Sequence, residues 1–358
     1  MVLSSLRIVF FSSSSTSSGG TRQALYTIQE LSKLGHNTAF IIPKGATIIN
    51  KCSKTNWIEL PKDVKKWKTF FKEFIDSFNP SIIHVYHNKA IKRMAWWSLF
   101  FKQKNMIILA HRGVVFVPNN PFPYWSPGID CFTVNSLACA KTLKKIGVPK
   151  RKIKLLYNSI PRNRVASNLE PALVREKIRI SKTDVVIGSI SGDASYKGVD
   201  ILLKAASLLK VDNWRLILIG PQKEKWTHLI SRLKIEKKVC FLGHINNIAD
   251  YLQIMDIFCI PSLSESMPNT LLEAIFAGLP IVSSKVGGIP EVLEGRGFLF
   301  KPGDFKQLAL YLEQLITSES LREEIKSKII PLQKLFLPEV KTQKLLNIYK
   351  ELLQKNNG

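Results

Sequence analysis

The sequence predicts an α/β protein of two Rossmann-like domains, each a parallel sheet with helices on both faces. Three observations lead there. Short apolar runs alternate with amphipathic helical patterns along nearly the whole chain, an order that lays strands in parallel and helices against both sides of them. The alternation lapses over residues 160–182, where Pro161 and Pro171 occur and strand signals do not. At 358 residues the chain is also long enough for two cores, since a single core rarely grows past about 250–300 residues. The expected organisation is a first domain over 1–160, a linker over 161–182, a second domain over 183–335 and a last helical segment over 336–358.

Leu6–Phe11 reads as the first strand, Ser12–Gly20 as a Ser/Gly loop, and Thr21–Leu34 as an amphipathic helix closed by Gly35. An apolar run so near the terminus also suggests a signal peptide, but it is short, contains Arg7 and leads into a glycine loop rather than a cleavage site. A strand, a Gly-Gly loop and a helix start together let backbone approach a phosphate, which makes Gly19 and Gly20 candidate binding positions. The full Gly-x-Gly-x-x-Gly fingerprint of a dinucleotide fold, with its acidic residue about 20 positions on, is absent, which argues against a nicotinamide oxidoreductase.

Further strands are expected at Thr38–Ile42, Ile82–Tyr86, Met106–Ala110, Cys131–Val134 and Ile153–Leu156. Helices are expected at Val64–Phe78, Lys89–Lys104 and Leu137–Ile146, the last with Ser136 as N-cap and Gly147 past its end. His84, inside a strand, reads as a hydrogen-bonded core residue. His111 and Arg112 stand at a strand end.

In the second domain, Val185–Ser191 is a strand, Ser191–Lys197 its loop and Val199–Leu209 its helix. Arg215–Ile219 and Val239–Leu242 continue the alternation, each followed by glycine, and His244 follows the second of them. The most informative stretch is Pro261–Glu291, between the apolar run Ile257–Ile260 and the turn after the next one, Ile281–Ser283. Ser264–Asn269 is a polar loop, Thr270 opens a helix, Gly278 and Pro280 close it, and Gly287-Gly288 makes a second turn. Glu265 lies on the loop and Glu273 in the first turn of the helix, where free N–H groups favour phosphate. Two carboxylates on either side of such a start suit a polyhydroxylated, phosphorylated ligand. Thr270-Leu271-Leu272-Glu273 also reads as a capping box, in which Glu273 serves only the helix.

With its spacing, Glu265…Glu273-Ala274…Gly278-Leu279-Pro280…Gly287-Gly288-Ile289-Pro290-Glu291, this stretch resembles the donor-binding signature of the group 1 (family 4) retaining glycosyltransferases. The resemblance implies the GT-B fold, in which two Rossmann-like domains face an inter-domain cleft and a final helix such as Glu339–Gln354 crosses back onto the first domain. It also implies that Glu265 meets the donor sugar, that Glu273 meets the ribose hydroxyls, and that the backbone of Ser266, Met267, Pro268, Asn269 and Thr270 contacts sugar and phosphate. Lys197-Gly198 resembles the family's Lys-Gly, whose lysine binds the donor phosphates. Gly19-Gly20 resembles its amino-terminal loop, and His111 its histidine at the donor sugar. The chain departs from the family at Ser159, where glycine is usual. It departs again at Gly192, which stands where an arginine usually completes the phosphate clamp; Arg112 or Arg22 are the candidates to replace it.

The expected activity is therefore a retaining, hexosyltransferase-type transfer from a nucleotide-sugar donor to a saccharide or lipid-linked acceptor in cell-envelope polysaccharide or lipopolysaccharide synthesis. No cofactor is implied. With no Asp-x-Asp and no carboxylate cluster, no metal is expected either. The alternatives are a sugar-nucleotide-binding protein without turnover and a basic nucleic-acid-binding protein; the latter would leave Glu265, Glu273 and the Gly-Gly turns without a role, so nucleic acid is not the expected partner.

The net charge is +25, and residues 1–160 hold 24 Lys and Arg against 6 Asp and Glu. Such an excess points to a phosphate-rich partner. Lys62–Phe74 and Ile91–Lys104 mix Lys and Arg with Trp and Phe at helical spacing, the composition of a segment that rests on an anionic membrane surface; the other reading is that Trp67, Phe71, Trp97 and Phe101 pack on the sheet and the lysines are simply solvated. No apolar run approaches the ~20 residues of a membrane span. Cys52, Cys131, Cys139, Cys240 and Cys259 are scattered without a Cys-x-x-Cys pair, which suits a reducing compartment. The expected location is cytoplasmic, at the inner face of the membrane.

Overall fold

The computed structural model describes residues 5–51 and 55–357; Cys52 lies outside them. The chain forms two compact units. One holds the chain up to Ser159 and again from Leu337, and the other is Ile160–Phe336.

The first unit runs β1 (Arg7–Ser12), α1 (Gly19–Lys33), β2 (Asn37–Pro43), β3 (Trp57–Leu60), α2 (Trp67–Phe78), β4 (Ile82–Tyr86), α3 (Asn88–Phe101), β5 (Ile107–Arg112), α4 (Phe122–Trp125), β6 (Cys131–Val134), α5 (Leu137–Lys145) and β7 (Ile153–Leu155). The second runs α6 (Pro171–Lys177), β8 (Val185–Ile190), α7 (Val199–Ala206), β9 (Trp214–Ile219), α8 (Lys223–Arg232), β10 (Val239–Gly243), α9 (Ala249–Leu252), β11 (Ile257–Ile260), α10 (Asn269–Phe276), β12 (Ile281–Ser284), α11 (Ile289–Leu293), β13 (Phe298–Phe300), α12 (Phe305–Thr317) and α13 (Glu319–Ile329). A final helix, α14 (Pro338–Asn357), belongs to the first unit. The two sheets are parallel throughout, in the orders β3-β2-β1-β4-β5-β6-β7 and β10-β9-β8-β11-β12-β13.

Period-two alternation within the strands builds the first core on both faces of its sheet. Val9, Phe11, Ile83, Val85, Ile108, Ala110 and Phe132 pack with buried residues of α2, α3 and α5. Their neighbours Ile8, Phe10, Ile82, Tyr86, Ile107, Leu109 and Cys131 pack with α1 and with Leu345, Leu346 and Tyr349 of α14.

In each sheet the chain builds outward in one direction and then returns to build in the other. The reversal falls between β1 and β4 in the first sheet and between β8 and β11 in the second. At such a point the loops at the carboxyl ends of the two strands diverge and leave a crevice, where open α/β sheets bind ligands.

Several expectations are corrected. Gly19 and Gly20 are not loop residues: α1 begins at Gly19, with Ser18 as N-cap accepting from Thr21 N. Trp57–Leu60 is an edge strand that the sequence pattern does not reveal. Residues 160–182 contain α6, whose Arg175 contacts Asp256 at 3.2 Å and the carbonyls of Ser181 and Asp184. Trp67, Phe71 and Phe101 are buried and Trp97 is half-buried. Phe71 packs on Phe11 at 5.0 Å and on Trp97 at 5.8 Å between ring centroids, so these four rings pack on the sheet, as the second of the two readings has it.

Candidate functional site

The reversal in the second sheet brings the loop after β8 beside the loop after β11. Gly198 adopts φ +69°, and a Cβ there would lie 2.1 Å from the carbonyl oxygen of Pro261. Only glycine allows this approach. Leu263 N donates to Tyr196 O at 2.7 Å and joins the two loops. Lys197 is thereby held with Nζ 2.7 Å from Glu265 Oε1, and Ser262 Oγ donates to the same oxygen at 2.9 Å. A third loop closes from β12. Gly287 adopts φ +57°, and a Cβ there would lie 1.9 Å from the Glu265 carbonyl oxygen, while Gly288 N donates to Ser266 O at 2.6 Å. The two glycines of the Gly-Gly turn thus set the backbone of Glu265 and Ser266.

From this junction the chain enters α10. Pro268 occupies its N-cap and makes no side-chain cap bond, which leaves the helix start as a favourable place for an anion. Ser266, Met267 and Asn269 are buried; Pro268 and Thr270 are half-buried. Glu273 is the fifth helical residue, past the first turn, and is no capping-box partner. It is 1 % exposed, and its Oε1 accepts from Arg164 Nε at 2.9 Å. Arg164 ends the 3₁₀ turn Arg162–Arg164 that follows Pro161. Sequence reasoning missed it because it lies in the stretch read as linker. The available signal was a pair of arginines in a chain otherwise short of its clamp arginine.

Gly19, Gly20 and His111 belong to the first unit. A Cβ at Gly20 would lie 2.9 Å from His87 Nε2. The His87 ring is fixed at the reversal of that sheet by Ser12 Oγ at Nδ1 (3.0 Å) and Ser18 Oγ at Nε2 (2.9 Å). Gly20 therefore answers to the packing of His87.

His111 is 5 % exposed, bonded through Nδ1 to Thr133 Oγ1 at 3.1 Å and stacked on Tyr86 at 4.8 Å. Burial, then the charges of Lys341, His84 and His87, hold it well below its ordinary pKa. It is a neutral imidazole, able to hydrogen-bond but not to act as a general acid near neutrality. Thr133 Oγ1 also meets His84 Nε2 at 3.2 Å, and His84 Nδ1 meets Tyr349 Oη at 2.9 Å.

Arg112 is no cleft residue. It is fully buried, with Nη1 donating to Tyr124 Oη at 2.5 Å and Asn88 Oδ1 at 3.2 Å, and Nη2 donating to Phe116 O. His244 is exposed beyond the end of β10. Among the described residues no group of three or more His, Cys, Asp or Glu is disposed to hold a metal ion. No helix among them is long and apolar enough to cross a membrane.

Two family models match the chain. Residues 17–164 match the model described as glycosyltransferase family 4, and residues 172–330 match that of glycosyl transferases group 1. N-acetyl-alpha-D-glucosaminyl L-malate synthase of Bacillus anthracis is 29% identical over 212 residues, covering 58% of this chain and 55% of that protein. The capsular polysaccharide biosynthesis glycosyltransferase CapM of Staphylococcus aureus is 26% identical over 193 residues, covering 50% of each. The chain spans about half the length of the curated relatives it matches. Among solved structures, Anabaena HepE in complex with UDP superposes with a TM-score of 0.85 at 18% identity, covering 97% of this chain and 100% of that one.

Proposed function

The chain belongs to the group 1, family 4 glycosyltransferases, and from that premise we propose that it moves a sugar from a nucleotide-sugar donor to a saccharide or lipid-linked acceptor of the cell envelope, with retention of anomeric configuration. The observation that carries the reading is the Lys197–Glu265 pair at the strand reversal of the second sheet, where a parallel sheet receives its ligand.

In this reading the donor diphosphate takes Lys197 from Glu265. The ammonium and the start of α10 then neutralise charge on the departing nucleotide, without a divalent metal. Glu265, still oriented by Ser262, accepts hydroxyls of the donor sugar and stabilises positive charge that develops on it. Glu273, anchored at Oε1 by Arg164, receives the ribose hydroxyls. The backbone of Ser266–Thr270 lies along sugar and phosphate. In the first unit, Gly19, Gly20 and neutral His111 remain the candidates for substrate contact that the family resemblance names.

The HepE complex makes a UDP-sugar the first donor to try. We place the reaction in the cytoplasm. A panel of nucleotide sugars, screened by thermal shift and then by hydrolysis, tests the proposal. One donor should stabilise the protein and be turned over. A panel without a binder would overturn it, and a product of inverted configuration would overturn the retaining assignment.

A further inference from the structure

Between Asp76 and Asp130 the sequence has no acidic residue. Helix α3 lies in this stretch. Its inner face, Ala90, Ile91, Met94, Ala95, Ser98 and Phe101, is buried. Its outer face carries Lys89 and Lys92 near the start and Trp96, Leu99 and Phe100 near the end, all exposed, with Phe100 70% and Trp96 59% accessible. Lys68 of α2 reaches across so that its Nζ stands 3.8 Å from the Phe100 ring centroid.

The segment after β5 adds exposed Phe116, Val117, Phe122 and Trp125. It is tied to α3 where Ser126 Oγ donates to Ala95 O at 2.7 Å, and Lys92 and Phe116 share the wall of a pocket of about 270 Å³. Among the described residues every exposed Phe or Trp lies in the first unit, and all but Trp57 lie on α3 or in this segment. Apolar side chains concentrated this way, ringed by lysines, are more than scattered surface hydrophobics.

We propose that the outer face of α3, with residues 116–125, docks on an anionic membrane surface. The lysines supply attraction to acidic headgroups, and Trp96, Leu99, Phe100 and Phe122 enter the interfacial layer, where amphipathic rings partition well. A nucleic acid would use the charge but leave the aliphatic and aromatic ridge in water. A protein partner of matching acidity would have to cover both. The inference rests on the reading above only in that it names where a lipid-linked acceptor would be met; the docking itself does not require transfer.

The test is cosedimentation of the full chain with phosphatidylcholine vesicles, with and without phosphatidylglycerol, at low and high salt. Binding is expected only with phosphatidylglycerol and is lost at high salt, with a blue shift of tryptophan emission that Trp96→Phe diminishes. Trp96→Ser/Phe100→Ser and, separately, Lys89→Glu/Lys92→Glu should each weaken binding by about tenfold or more. These positions are exposed, so the melting temperature and the thermal shift with donor should stay as in the parent. No binding of the parent to phosphatidylglycerol vesicles at low salt, or parent-like binding by both double variants, would overturn the proposal. So would binding to RNA or DNA with vesicles ignored. Donor hydrolysis without vesicle binding would remove the docking alone, and vesicle binding without hydrolysis would remove the transfer alone.

Discussion

Lys197 Nζ and Glu265 Oε1 stand 2.7 Å apart, although 68 residues separate them, because Gly198 lets the loop after β8 seat against the turn at Pro261. The two charges lie on the loops that flank the strand reversal, and in the proposed reaction the donor diphosphate and its sugar engage this pair. Glu265→Gln keeps the shape and removes the charge. Turnover should fall by about 10²–10³, the scale of a lost transition-state partner, while donor affinity changes far less. Single-turnover rates and a donor titration read the two separately, and an unchanged rate would remove Glu265 from the chemistry.

The fold class was legible because strands in a parallel sheet, buried on both faces, read as continuous apolar runs. Ile257–Ile260 is such a run. The edge strand Trp57–Leu60, only half covered, carries no such signal. Glu265 and Glu273 stand out in the sequence through their spacing. Arg164 does not, since its partner is 109 residues away and no local pattern links them. Arg112 misled because its partners Asn88, Tyr124 and the Phe116 carbonyl come from separate segments. On α3 the composition did not say which rings face out: Trp97 and Phe101 turn to the sheet, and those found outside are Trp96 and Phe100. One residue of helical phase, about 100°, separates core from surface.

The Arg164–Glu273 pair yields a prediction with two readouts. Removing Arg164 takes away the cation that stands 2.9 Å from a carboxylate at 1 % exposure. Arg164→Met should therefore lower unfolding free energy by about 3 kcal/mol, as broken buried pairs do. Glu273→Gln should mainly weaken nucleotide binding, by about 1.5–3 kcal/mol for a lost charge-assisted bond. Chemical denaturation and calorimetric titration with the donor nucleotide check these. Full nucleotide affinity in Glu273→Gln would leave Glu273 a structural role only.

Gly287 offers a backbone test of the same site. An alanine there must hold φ near +57° and place Cβ 1.9 Å from the Glu265 carbonyl oxygen, so the loop has to move. Gly287→Ala should cost about 1–3 kcal/mol in stability and depress turnover together with donor affinity, since Glu265 and Ser266 are displaced as a unit. Gly295, which also has positive φ but meets nothing within 4 Å, is the control: Gly295→Ala should lose stability without loss of turnover at saturating donor.

Positive charge for the leaving diphosphate comes, in the proposed reaction, from Lys197 and the start of α10. Turnover in EDTA should therefore equal turnover in Mg²⁺ or Mn²⁺, and Lys197→Ala should abolish most of it. Activity lost in EDTA and restored by either ion would assign that charge to a metal instead.

The last prediction concerns Lys341, wholly inside the first unit. Its Nζ donates to Gln23 Oε1 at 2.9 Å and to Gln23 O at 3.3 Å. Gln23 in turn holds Ser159 through both backbone groups, at 2.9 and 2.7 Å. The ammonium thus braces the segments where the chain leaves this unit and re-enters it. Neither of its bonds is to a carboxylate, and burial pushes its pKa from 10.5 down to about 7. In the unfolded chain the ordinary value returns, so between about pH 7 and 10.5 the unfolded state binds a proton that the folded state lacks. Stability contributed at this position must therefore rise with pH across that window, by up to about 1.4 kcal/mol per pH unit. Below pH 7 both states are protonated and the burial penalty is constant. His84, lowered from 6.5 to about 3 by the same burial, exerts its own pH dependence at and below 6.5, outside this window. Lys341→Met removes the titration and leaves Gln23 bonded to Ser159. The variant should be the more stable protein at pH 7, and its advantage should shrink steadily toward pH 9.5. Urea unfolding at closely spaced pH values measures the difference. A gap that does not change with pH would mean that Lys341 keeps its proton in the folded state throughout.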